Sequence, residues 1–211
     1  MKTFDIILLI IFSLYIIMFT IKFISLNKFN EKYELVQKNK PNNNELIDIL
    51  NLKLPTIITG EVEEWFIYNK NDKIDKEKLN HKTLQENCAK LIYILPIVRK
   101  YNINSFKKNY FTNILLENNT KHFLVLLEGS LEIKLFNPLQ KDLIKKNNTI
   151  YSKNPNNEAK FINIKLHSEQ ILYIPLKWYY SYKCSSDCLL LDIYSETLLT
   201  LPIKNIMQSL N

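Results

Sequence analysis

Glycine is almost absent: Gly60 and Gly129 are the only two in 211 residues, and histidine and cysteine number three each. So little glycine leaves no Gly-rich phosphate loop and no Gly-x-Ser-x-Gly nucleophile elbow. Cys88, Cys184 and Cys188 lack the spacing of a structural zinc site, and no internal repeat is present. The formal charge is +7, yet the lysines are interspersed with asparagines instead of forming a basic stripe. They read as a solubilising surface, and nucleic acid is not an expected partner.

What the chain does have is one long apolar run. From Ile6 to Ile21 no charged residue interrupts IILLIIFSLYIIMFTI, and Phe23, Ile24 and Leu26 extend it past Lys22. That length spans a hydrocarbon core, and Lys22 can reach the headgroups along its apolar stem. Being apolar all round, the segment does not suit the half-polar surface of a core helix. Cleavage as a signal peptide is the rival, but the continuation KFISLNKFNEKYE lacks the small residues that cleavage needs. Residues 1–27 are therefore read as a retained transmembrane anchor, 28–44 as a polar stalk and 45–211 as one domain.

The side of the membrane rests on opposing signals. Only Lys2 precedes the span, while Lys22, Lys28, Lys32, Lys38 and Lys40 follow it, which favours a cytosolic domain. The sequons Asn118-Asn119-Thr120 and Asn147-Asn148-Thr149, and the pair Cys184 and Cys188, point the other way. In so Asn-rich a chain sequons arise by chance, and the expectation is a cytosolic domain with reduced thiols and no glycan.

Beyond the stalk, NELIDILN has the spacing of a short helix with Asn44 as its cap. Strand signals follow: LPTIITG, HFLVLL, the alternating LEIKLF, then FINIKL, ILYIP and CLLLDIY. Gly129 marks a tight turn between two of these runs, and Ser185-Ser186-Asp187 a hairpin turn. The fold class is mainly β, a sandwich or barrel with minor helices after one transmembrane helix.

Three stretches, in this order, resemble the cupin-like, JmjC-related proteins: LPTIITGEVEEW (Leu54 to Trp65), HFLVLLEGSLEIKLFNP (His122 to Pro138) and EQILYIPLKWYYSY (Glu169 to Tyr182). The resemblance implies a double-stranded β-helix, the cupin or jelly-roll barrel, whose active members are oxygenases using iron and 2-oxoglutarate. Their chemistry needs two histidines and a carboxylate around the metal. An ungapped count back from Gly129 puts the family's His-x-Asp pair on Leu116 and Asn118. The distal histidine falls on Tyr180, and the lysine that binds the cosubstrate on Leu131.

None of the four supplies the family's chemistry, so no catalytic residue, metal or cofactor is expected. Leu116, Asn118 and Tyr180 are expected to converge inside one end of the barrel, with Leu131 and His122 close by and the Tyr180 hydroxyl paired with Asn118. His122 and Trp178 are the candidates to line any pocket. His81 and His167 read as surface residues, and Glu63 and Glu64 as solvated. Three readings of function follow: a membrane-tethered, degenerate cupin-like module binding a protein or small ligand; an oxygenase with displaced ligands; and a structural component of a membrane or virion.

Overall fold

The computed structural model describes residues 3–65, 84, 86–88, 91, 98–146, 150–151 and 159–209. His81 and the sequon at Asn147 lie outside them. The chain opens with helix α1 (Thr3–Asn27), continues through β1 (Val36–Asn39), α2 (Asn43–Leu52) and β2 (Thr56–Thr59), and then turns to β structure. Next come β3 (Val98–Phe106), β4 (Leu115–Leu116), β5 (Lys121–Glu128), β6 (Ser130–Phe136), the two-residue strands β7 (Lys145–Lys146) and β8 (Ile150–Tyr151), β9 (Ile162–His167), β10 (Gln170–Ile174), β11 (Tyr179–Cys184) and β12 (Cys188–Glu196). A C-terminal helix, Thr200–Ser209, closes the described chain.

Two sheets carry the architecture. One has the order β1-β2-β10-β5-β12-β3 and the other β4-β11-β6-β9. Setting aside β1, β2 and the β7-β8 ribbon, eight strands remain among the described residues. Numbered along the chain, the first pairs with the eighth and the third with the sixth in one sheet; the second pairs with the seventh and the fourth with the fifth in the other. That order is a jelly roll, the double-stranded β-helix.

Local pattern explains the layers. In β6, Leu131, Ile133 and Leu135 are buried while Glu132 and Lys134 are exposed, as period-two alternation requires. In β5 the residues from His122 to Leu127 are all buried, because its sheet is covered on both faces. Leu124 and Leu126 join Leu131, Ile133 and Leu135 inside the barrel. Phe123, Val125 and Leu127 point outward, under Leu46 and Ile49 of α2 and Trp65.

Gly129 makes the β5–β6 turn with φ +97°, and a Cβ there would lie 2.2 Å from the carbonyl oxygen of Asp187. Glycine is needed both for the backbone angle and for this close approach. The turn thereby packs against Ser185-Ser186-Asp187, which joins β11 to β12 as expected, and Ser130 N donates to Ser186 Oγ at 2.9 Å.

The segment read as a stalk contributes β1, which pairs in parallel with β2 from Val36↔Thr56 to Asn39↔Thr59. Its last three residues are exposed, so an edge strand looked polar in sequence. The α2 cap is Asn42, not Asn44. Asn42 Oδ1 accepts from Asn44 N and Glu45 N, and Glu45 Oε2 accepts from Asn42 N at 2.8 Å. Of three consecutive asparagines, only this one has a glutamate three residues on, the capping-box spacing.

Phe4–Asn27 is long and apolar enough to cross a membrane, and Phe4, Leu8, Ile11, Phe12 and Ile21 are each more than half exposed. Its second half lies along the domain. Leu26 packs on Ile203 and Met207 of the C-terminal helix, with Phe19, Phe23 and Leu176 alongside.

Candidate functional site

Strand parity decides which polar groups enter the barrel. On β5, His122 shares its face with Leu124 and Leu126, and on β12, Tyr194 and Asp192 sit opposite His122 and Leu124. Glu117 follows β4 and prolongs its pairing with the start of β11: its N–H donates to Trp178 O and its carbonyl accepts from Lys177 N, both at 2.8 Å. These placements bring two carboxylates and one imidazole together at one end of the barrel.

His122 is fully buried between them. Its Nδ1 bonds Glu117 Oε2, and its Nε2 lies 3.1 Å from Asp192 Oδ1. Asp192 Oδ2 accepts from Asn104 Nδ2 at 3.1 Å. Glu117 Oε1 accepts from the backbone and side-chain nitrogens of Asn119 at 2.6 and 2.7 Å. Asn119 Oδ1 in turn accepts from Lys204 Nζ, at 2.5 Å, on the C-terminal helix. Tyr194 stacks on the imidazole at 4.4 Å, and the Tyr180 ring stands tilted to it at 5.8 Å.

Burial alone would depress the imidazole's pKa, but the Glu117 charge and the hydrogen bonds to Asp192 and Glu117 outweigh it and raise the pKa to about 9. At neutral pH the group is an imidazolium with both N–H donors in use. Burial first, and then the Glu117 charge, push the Tyr180 hydroxyl upward, so it stays a phenol. Since the His122 pKa rises from 6.5 in the unfolded chain to about 9, its contribution to stability is fully present below pH 6.5 and is lost as pH rises through 9. The loss is on the order of 3 kcal/mol. Thermal unfolding of the detergent-solubilised chain, followed by tryptophan fluorescence, should show a midpoint falling across that window; a midpoint flat from pH 6.5 to 9.5 contradicts the charged imidazole.

The expected convergence of Leu116, Asn118 and Tyr180 is corrected. Leu116 pairs with Tyr179 and packs with Ile114 and Phe136 on the outer face of the smaller sheet. Tyr180 is inside with Trp178. Asn118 is half-buried, and among the described residues it makes no hydrogen bond to the Tyr180 hydroxyl. Leu131 is interior but pairs with Cys184, while Tyr180 pairs with Leu135, so it lies about 13 Å along the strand from Tyr180.

The ungapped count crossed the 117–120 loop, where no strand period holds, and a one-residue slip turns a side chain to the other face. It therefore passed over Glu117, one residue from both positions it named. Asp192 did leave a signal, as the single acid inside CLLLDIY.

Trp178 is fully buried, and its Nε1 has no hydrogen-bond partner among the described residues. His167, Glu63 and Glu64 are exposed. Cys184 and Cys188 carry free, buried thiols at facing strand ends; burial, then Cys188, push the Cys184 thiol up to about 12. Among the described residues no group of three or more His, Cys, Asp or Glu side chains is arranged to hold a metal ion. Glu117 and Asp192 take opposite nitrogens of His122, so the three do not converge on one point.

No family model and no curated protein matches the chain. Among solved structures it is similar to the CENP-C cupin domain of Drosophila melanogaster, at 11% identity and a TM-score of 0.33, over 46% of this chain and 59% of that one. It is also similar to hydroquinone 1,2-dioxygenase from Sphingomonas sp. TTNP3, at 14% identity and a TM-score of 0.36, over 51% of this chain and 70% of that one. A cupin-2 domain protein from Shewanella frigidimarina matches at 12% identity and a TM-score of 0.30, over 46% and 71%. The chain thus spans less than two thirds of the CENP-C domain structure. By the strand order of its two sheets, the domain is a cupin-like double-stranded β-helix.

Proposed function

We propose that the chain is a single-pass membrane protein whose cupin-like domain acts as a binding or scaffold module and not as an iron and 2-oxoglutarate oxygenase. The observation that carries this reading is His122, fully buried with each ring nitrogen held by a carboxylate. An imidazolium has no lone pair for a metal. Around it Trp178, Tyr180 and Leu135 fill the barrel with side chains. The apolar, exposed surface of α1 supports the membrane part, because a bilayer covers such a surface and water does not. The lysines that follow it favour a cytosolic domain.

The test uses the full chain purified in detergent, loaded with ferrous iron and 2-oxoglutarate. Iron well below one per chain, with no cosubstrate decarboxylation, is expected. Stoichiometric iron together with turnover would overturn the reading. Carbonate washing of membranes should leave the chain in the pellet.

A further inference from the structure

A cavity of about 600 Å³ opens between the second half of α1, α2, the start of β5 and the Thr197–Thr200 turn. It lies outside the barrel and takes no part in the His122 network. Its α1 wall is formed by Tyr15, Met18, Lys22, Ser25 and Leu26, which recur every three or four residues and so share one helix face. Along that face the wall changes from apolar to cationic over about 10 Å.

Four lysines line the cavity, Lys22, Lys28, Lys53 and Lys121, and among the described residues no Asp or Glu lines it. Lys53 Nζ is held by backbone carbonyls, those of Ser25 and of Lys28, the latter at 2.7 Å, and among the described residues it has no carboxylate partner. Burial, followed by the charges of Lys22, Lys177 and Lys28, depresses the Lys53 ammonium. Lys121 is depressed by burial and Lys22, with Glu196 acting against them. Lys53 and Lys121 are half-buried and Lys22 and Lys28 exposed; cations that repel one another around a common space are stabilised by an anion placed in it.

We propose that this cavity binds an anionic phospholipid, its phosphate among Lys22, Lys28, Lys53 and Lys121 and an acyl chain along Met18 and Tyr15. The assignment rests on the reading that α1 spans a membrane. In that setting Lys22 stands at headgroup level with Met18 and Tyr15 below it, the order of a lipid's own polar and apolar parts. A cytosolic domain would meet the leaflet that carries anionic lipid.

The experiment reconstitutes the full chain into vesicles of phosphatidylserine and phosphatidylcholine, extracts it gently and measures the retained lipid by native mass spectrometry. Wild type should retain phosphatidylserine over phosphatidylcholine. Lys28→Gln with Lys121→Gln should lower that preference about 25-fold, roughly fivefold per lysine. The control pair Lys108→Gln with Lys165→Gln, which removes the same charge outside the cavity, should leave it unchanged. Equal retention of the two lipids by wild type, or equal loss in both double variants, overturns the site. Displacement of phosphatidylserine by millimolar inorganic phosphate, with the same lysine dependence, would assign the cavity to a soluble phosphate and overturn the lipid. Release of the wild-type chain by carbonate removes the spanning reading and the lipid with it. Retention in the membrane without headgroup preference removes the lipid proposal alone.

Discussion

Replacing His122 with leucine is expected to destabilise the domain by about 3–5 kcal/mol, because it leaves two buried carboxylates with no cation between them. Glu117 and Asp192 are 1% and 8% exposed, so water cannot take the place of the imidazolium. Adding Glu117→Gln to the variant should restore part of the loss, since one buried charge is then removed. The pH dependence supplies an independent readout. Without the imidazolium the variant lacks the group whose deprotonation weakens the fold, so its stability should not follow the fall that wild type shows between pH 6.5 and 9. Denaturation of both proteins at pH 6.5 and pH 9.5 measures this. A cost below about 1 kcal/mol at pH 6.5, or the same fall toward pH 9.5 in both proteins, would show that the two carboxylates are not held together by charge.

Truncating Trp178 to alanine should cost a similar amount, about 3–5 kcal/mol, for a different reason. The indole is fully buried among Leu135, Leu172, Ile174 and Tyr180, and its loss leaves a void that close-packed neighbours fill only in part. Trp178→Phe should cost much less. Most of the ring volume stays, and the group removed is an N–H without a partner among the described residues. Urea denaturation followed by circular dichroism compares the two. Equal losses would mean that the indole nitrogen, and not the ring's bulk, is what the interior requires.

Both variants probe an interior that the sequence disclosed unevenly. The apolar run of α1 and the alternation of Leu131, Ile133 and Leu135 were legible because each is a local property: a helix or strand writes its environment into adjacent residues at a fixed period. Gly129 was legible because only glycine meets the turn's positive φ and the contact with Asp187. β3 and β4 were not identified as strands: β4 is two residues long, and β3 carries polar residues such as Asn102 and Asn104. β1 stayed hidden because three of its four residues face solvent at a sheet edge.

By itself the sequence determined the long apolar helix, a mainly β domain after it and the tight turn at Gly129, all of which follow from spacing along one stretch of chain. The tertiary structure alone decided that Glu117, His122 and Asp192 meet, that Leu116 turns outward and that four lysines surround one cavity. Which face a side chain takes after a loop depends on the register of hydrogen bonds to strands distant in sequence, such as Leu116 against Tyr179 and Leu124 against Asp192. No period within a single segment carries that register.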